Sequence, residues 1–310
     1  ETLATAVSNP QINRENTAKV KPALMVKVAE LEKNPAYIAD QAIRKRLFGT
    51  FPYGRPQLGS SENLAKIDFA DILFAQERFL TADNATLAIN GNVKSDFALK
   101  ATKRLFGGWL KSDKKTPSTF AMPEAPQKGL QIVDSTAQNT SEIRFAMRGL
   151  ARNDKDYYTL QILENILQNR LQMREGKKAF VQENTNFLPG FIVFGVSDWN
   201  LGNIKREGNM ISLPVGIDTY QDYFLQDAIK PEEFESAKKS LSDYFSTLNI
   251  QDYWLDSHTF KFVSIKKDME FAQNVIQTDV QKLLEKFQKQ PVASVLLISK
   301  PLENSANTSN

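Results

Sequence analysis

The sequence predicts an α+β protein of two homologous domains, with the first domain truncated at its N-terminus. Three observations predict this. Residues 1–80 show helical periodicity and almost no strand signal, whereas strand-like runs crowd the second half. The stretch 111–127 (KSDKKTPSTFAMPEAPQ) is rich in Lys, Ser and Pro and reads as a linker. A helix–strand signature also recurs at constant offset: 71–79 (DILFAQERF) precedes 85–89 (ATLAI), and 279–287 (DVQKLLEKF) precedes 293–297 (ASVLL). The expected organisation is 1–112 as the C-terminal part of a first domain, 113–127 as linker and 128–310 as a second, complete domain.

In the first part, Val20, Leu24, Val28 and Leu31 recur at helical spacing. Asn9-Pro10 and Asn34-Pro35 interrupt the pattern, each Pro suiting the first turn of a new helix. Residues 51–56 (FPYGRP) form a loop by turn chemistry. An amphipathic helix is expected over 68–79, with Ile72, Phe74, Ala75 and Phe79 as its apolar set. Strand 85–89 and helix 95–106 follow. A lone strand leaves its backbone groups unpaired, so the remaining strands of this domain are expected from an upstream segment. In the second part, strands are expected at 129–134, 142–148, 178–183, 190–197, 208–215 and 293–299, and helices at 154–171, 218–228, 231–247, 250–266 and 277–288.

Composition narrows the chemistry. With 41% hydrophobic and 24% charged residues among 310, the chain has enough apolar content for a sizeable core, and global disorder is not expected. Lys plus Arg total 39 against 36 Asp plus Glu, a balance that implies neither a nucleic-acid nor a membrane-surface field. No apolar run is long enough to span a bilayer. The absence of cysteine removes disulfides, thiolate catalysis and Cys-ligated metals. The single histidine, His258, makes H-x-x-E-H and H-E-x-x-H impossible within these residues. Its neighbours Asp256 and Ser257 are expected on the same helix, where adjacent side chains diverge by about 100°, so a Ser–His–Asp triad is not built there. His258 reads as a surface or packing residue. No phosphate-binding glycine loop occurs. Glu232-Glu233 complements the dipole of a helix start. Arg170 and Arg174 lie four apart at the end of helix 154–171 and just beyond it; they complement the C-terminal dipole or, alternatively, project into a cavity to meet a peptide carbonyl or carboxylate. The strands that follow offer an edge for an extended peptide.

Four stretches resemble the pitrilysin/insulinase zinc metallopeptidases, in particular their short bacterial branch and its processing-peptidase and respiratory core-protein relatives. They are 34–39 (NPAYIA) leading to 47–56 (LFGTFPYGRP) and Gly59; 78–93, with Arg78-Phe79, Asp83-Asn84 and the run to Val93; 106–109 (FGGW); and 163–180, with Arg170-Leu171, Arg174-Glu175 and Ala179-Phe180. The resemblance implies duplicated α+β domains, each a mixed β-sheet flanked by helices, four of which enclose a peptide chamber. It places the family's zinc-binding Glu slot near Lys27 and a companion acidic slot near Val20, neither of them a carboxylate. The likeness is therefore to the inactive half, with no catalytic residue and no metal in this chain and zinc supplied by a partner domain. In active pairs that half gives an Arg and a Tyr, seven residues apart, to the substrate backbone. Arg174 takes the Arg slot, and the Tyr slot falls one residue short at Phe180, which has no hydroxyl; Arg170 is the third candidate contact. The implied role is a non-catalytic subunit or half that holds peptide beside a zinc-bearing homologous subunit, or as a homodimer. A structural core-protein-like subunit and a C-terminal fragment of an active endopeptidase are the alternatives, the last disfavoured by Val20 and Lys27. A periplasmic or secreted location is favoured over a cytoplasmic one.

Overall fold

The structure, a computed structural model, describes residues 1–112, 121, 123–126, 129–137, 140–199, 205–207, 210–212, 225–262 and 264–299. The chain divides into two compact units that are not collinear with the sequence. The first comprises Glu1–Glu30, Gln57–Ala121 and Leu248–Ile265; the second comprises Leu31–Pro56, Met122–Thr247 and Lys266–Asn310.

The second unit is built on a five-stranded mixed sheet of order β1-β7-β2-β4-β3. Its strands are β1 (Leu130–Ser135), β2 (Ser141–Arg148), β3 (Ala179–Asn184), β4 (Phe191–Ser197) and β7 (Ala293–Ser299). β1 pairs parallel with β7, and the other neighbours are antiparallel. The chain's last described strand thus lies inside the sheet, next to its first, and β1 and β3 form the edges. A separate two-stranded ribbon joins β5 (Lys205–Glu207) and β6 (Met210–Ser212).

Period-two alternation sends the two side-chain sets of each strand to opposite faces. Ile143, Phe145 and Met147 of β2 join Ile192, Phe194 and Val196 of β4 on one face, covered by α7 (Tyr157–Glu175), α8 (Pro231–Thr247) and α11 (Gln277–Gln288). The opposite face carries Ala146, Phe191, Val193 and Val295 and packs on Ile43, Leu47 and Phe48 of α3 (Pro35–Phe48). Asn34 caps the start of α3: its side-chain oxygen accepts the Tyr37 N–H at 3.1 Å, with Pro35 inside the first turn as expected. Asn34→Ala is expected to cost about 1 kcal/mol of stability in denaturant unfolding.

The loop after α3 forms an aromatic clasp. Phe48 and Tyr53 meet edge to face at 5.7 Å, and Phe48 meets Phe191 at 5.6 Å. The Tyr53 hydroxyl accepts the Leu188 N–H at 3.2 Å, binding the 49–55 loop to the β3–β4 connection. Gly54 is required there, since a Cβ would lie 2.8 Å from the Gly49 carbonyl oxygen. The "PYG" motif is therefore structural here.

The first unit contains α1 (Thr2–Ser8), most of α2 (Arg14–Leu31), α4 (Ser61–Lys66), α5 (Phe69–Phe79), α6 (Ser95–Phe106) and α9 (Ile250–Phe260). Asp68 and Asp71 close a reciprocal capping box at the start of α5. Asn84 donates to the Phe79 carbonyl at 2.9 Å and so caps the other end of that helix. The Trp109 indole donates to the Leu80 carbonyl at 3.2 Å, and the Ser112 N–H to Asp83 at 2.9 Å. The 78–84 and 106–109 motifs thus hold each other.

Several expectations are corrected. Residues 85–89 are not in a strand; no strand among the described residues pairs with them, and Leu87 and Ile89 are exposed. The pattern supplied β propensity without a partner ladder. Phe74 and Phe79 of α5 are also exposed, with the Arg78 guanidinium stacked on both rings. Pro10 precedes α2 by several residues rather than opening it. The helix expected over 250–266 is two helices, α9 and α10 (Ile265–Asn274), because Lys261 adopts a left-handed conformation (φ 63°) that closes α9. The strand expected at 208–215 is instead the β5–β6 ribbon where described. Most of the expected helix 218–228, and most of the linker 113–127, lies outside the described residues.

Candidate functional site

The predicted site residues gather around the α7–β3 connection of the second unit. α7 forms because Tyr158, Leu160, Leu163, Ile166, Leu167 and Leu171 recur at helical spacing and bury one face against the sheet. It ends at Glu175, where Gly176 takes a positive φ of 83°.

Arg170 lies four residues after Ile166 on this helix, and its side chain is 11% exposed. Its Nε and Nη2 engage both oxygens of Glu233 at 2.7 and 2.6 Å, a bidentate pair. Nη1 and Nη2 donate to the Asp227 and Ala228 carbonyls, each at 2.9 Å. These bonds pull Glu233 below the usual carboxylate range, the Arg170 hydrogen bonds being the largest cause. Arg170 therefore fastens the first turn of α8 to α7.

Arg174 occupies the last turn of α7, where a cation suits the helix dipole. Its Nε meets Glu175 at 3.2 Å, and the side chain is 42% exposed. Phe180, the second residue of β3, points to the face covered by α3 and is half-buried. Arg174 and Phe180 thus belong to opposite layers of the sandwich, separated by the turn that leads into the edge strand. Lys178 in that turn pairs with Asp198 at 2.6 Å.

Phe180 has a partner that sequence reasoning missed. The Arg144 guanidinium lies 4.8 Å from its ring centroid. Arg144 is 1% exposed and sits in the middle of β2. Its Nε donates to Asp40 of α3 at 2.7 Å and its Nη2 to Glu142 at 2.8 Å. Nη1 donates to the Ile143 and Val196 carbonyls at 3.0 and 3.1 Å, and Nη2 to the Ser197 hydroxyl at 3.2 Å. Gly195 makes room for it: a Cβ there would lie 2.2 Å from the Ile143 carbonyl oxygen and 2.8 Å from Arg144 Cδ. The sequence shows only the Glu142-x-Arg144 pair on the polar side of an alternating strand.

Along the outer side of β3 lies a cavity of about 240 Å³, bounded by Gln161, Glu164, Gln168, Val181, Ser240 and Tyr244. Burial pushes the Glu164 carboxyl up to about 7, with the Glu183 charge adding to the effect. Burial also raises Glu183, against the hydrogen bond it accepts from Gln161 at 2.7 Å.

At the two slots where the family resemblance places acidic zinc-site residues, the donor chemistry does not suit the ion. Val20 offers no lone pair, and a Lys27 ammonium would repel the ion. His258, on α9, has its Nδ1 2.9 Å from the Thr86 hydroxyl, a packing contact within the first unit. Among the described residues no three His, Asp or Glu side chains converge as a metal site. No helix among them is long and apolar enough to cross a membrane.

A mixed sheet between helical layers, with Arg174 and Phe180 at the start of an edge strand, defines an α+β domain. Residues 66–183 match the sequence profile of the peptidase M16 inactive domain. The matched stretch includes Arg170, Arg174 and Phe180. An uncharacterized zinc protease of Rickettsia bellii is 26% identical over 112 residues, 36% of this chain and 27% of that protein. The chain therefore matches only about a quarter of that relative's length. Among solved structures, the peptidase M16 inactive domain from Pseudomonas fluorescens is similar with a TM-score of 0.78 at 18% identity, covering 96% of this chain and 75% of that one. A chain of the complex III2 from Candida albicans gives 0.73 at 14% identity, covering 96% and 75%.

Proposed function

We propose that this chain is the non-catalytic, peptide-holding part of a pitrilysin-like zinc metallopeptidase, forming part of the peptide chamber beside a zinc-bearing homologous subunit or within a homodimer. The observation that carries the reading is the inactive-domain match across α7 and β3, joined to a donor set that does not suit zinc. Cleavage chemistry then belongs to the partner, and this chain supplies contacts. A peptide passing the start of the edge strand β3 meets Arg174 from one layer and Phe180 from the other. Arg174 gives a cation for a backbone carbonyl or a carboxylate. Phe180 gives an apolar surface and no proton. Arg170 is left out of the contact set because its guanidinium is engaged with Glu233 and two carbonyls.

Arg174→Ala is expected to raise the KM of the assembled peptidase about tenfold, the effect of one charge-assisted contact, with zinc content unchanged. Unchanged KM and kcat would instead support a second reading, a structural assembly subunit, to which the fold likeness to a complex III2 chain gives some support. Stoichiometric zinc and peptide cleavage by the isolated chain would overturn both.

A further inference from the structure

The stripe of α8 that packs into the core carries Phe234, Ala237 and Leu241. Beside it runs a second stripe, Lys238, Ser242, Phe245 and Ser246, at the three- and four-residue spacing of one helix face. Met269, Ala272 and Gln273 of α10 repeat that spacing. The two stripes bound a groove of about 560 Å³, a size that suits a small-molecule ligand. Its floor is apolar. Leu241 and Ala272 are buried, Phe245 packs against the same core, and Met269 is 38% exposed.

One charged group enters the wall of this groove. Lys238 is half-buried, and its ammonium donates to the Val275 carbonyl, just beyond α10, at 2.8 Å. The same nitrogen lies 5.4 Å from the Phe234 ring centroid. An ammonium has three N–H donors, and the carbonyl takes one. Among the described residues no carboxylate lies within ion-pair distance of Lys238. A cation held partly out of water without a counter-charge favours an incoming anion. Lys239 adds a second positive charge at this end of the groove, against one negative charge from the exposed Glu235. From Lys238 the groove follows α8 to Ser246, about 12 Å. That is the reach of a staggered alkyl chain of about ten carbons.

We propose that the groove between α8 and α10 binds a medium-chain fatty acid, its carboxylate on Lys238 and Lys239 and its alkyl chain laid over Leu241, Phe245, Ala272 and Met269. An alcohol of equal length covers the floor but leaves the cation uncompensated. A short carboxylate compensates the cation but leaves the floor in water. The fatty acid does both. The site is independent of the peptide-holding reading, and Leu241 stands between it and the cavity beside β3.

The test is calorimetric titration of the full chain with decanoate below its micelle concentration, with decanol and butyrate as controls. Wild type is expected to take up a single decanoate and to bind decanol about tenfold more weakly, the worth of one charge-assisted contact. Butyrate gives no measurable heat of binding. Lys238→Met lowers decanoate affinity about tenfold and leaves decanol affinity unchanged, and Lys238→Arg restores most of the loss. Met269 supplies a readout in wild type that holds even if Lys238→Met does not fold: decanoate slows its oxidation by peroxide, followed by mass spectrometry, and butyrate does not. Equal affinity for decanoate and decanol overturns the proposal, as does equal decanoate affinity in wild type and a folded Lys238→Met. Several equivalent decanoates adsorbed per chain, no binding, or an unprotected Met269 also overturns it. An acidic amphipathic helical peptide that seats on the groove and is not displaced by decanoate assigns the face to a protein partner instead.

Discussion

Replacing Arg144 by alanine is expected to destabilise the second unit by about 3–5 kcal/mol. The Arg144 guanidinium lies 2.8 Å from Glu142, whose side chain is only 5% exposed. Removing it leaves that carboxylate buried without its counter-charge, and leaves the Ile143 and Val196 carbonyls without their Arg144 donor. Asp40 suffers less, because its side chain is 41% exposed and water can replace the guanidinium. The asymmetry gives a decisive comparison. Arg144→Met together with Glu142→Gln removes both charges while keeping most of the volume, and is expected to recover a large part of the loss. Denaturant unfolding of the two variants against wild type measures it. A single alanine variant as stable as wild type would show that water or a moving side chain reaches Glu142, and the network would then be only a surface ion pair. Peptide binding provides a second readout: Phe180 loses the cation stacked on its ring, so any contribution of Phe180 to the site weakens along with stability.

The sequence made the elements of the second unit legible, because each carries its own period. The α7 apolar set, the helix start at Pro35 and the uninterrupted run of β7 are local signals, and the structure has all three. Arg144 was not legible for the opposite reason. Residues 141–148 alternate as a half-buried strand does, with Glu142, Arg144 and Arg148 on what reads as a solvent face. What buries that face is α3, which lies about a hundred residues earlier in the chain and brings Asp40 with it. A periodicity window cannot see such a cover. The same limit acts in reverse at 85–89, where local propensity is strong but no ladder forms, because strand formation needs a neighbour. At the candidate site, the spacing of Arg170 and Arg174 was visible, but which of them is engaged within the fold depended on Glu233, which follows Arg170 by 63 residues.

Glu164→Gln is expected to stabilise the protein increasingly as pH rises, by about 2–3 kcal/mol at pH 8 and by little at pH 4.5. Glu164 has a pKa of about 7 in the fold against an ordinary 4.5, chiefly because burial disfavours its charged form. The folded state therefore holds a proton that the unfolded chain releases. The stability this contributes is complete below about pH 4.5 and is lost as pH rises through about 7. Glutamine keeps the oxygen that accepts the Glu183 N–H and removes the charge. The Glu183 N–H that Glu164 accepts pulls the other way and is outweighed by burial, the Glu183 carboxyl from β3 disfavours a second negative charge, and Gln161 and Gln168 of α7 and Ser240 of α8 carry no charge. The carboxyls that are held low, Asp83 and Glu233, contribute their pH dependence below the window and do not mask it. Chemical denaturation at several pH values between 4.5 and 8 measures the difference. A gap between variant and wild type that stays constant with pH would mean that Glu164 ionises as freely in the fold as in water, and that the α7–β3 edge is open to solvent rather than closed by its own helix.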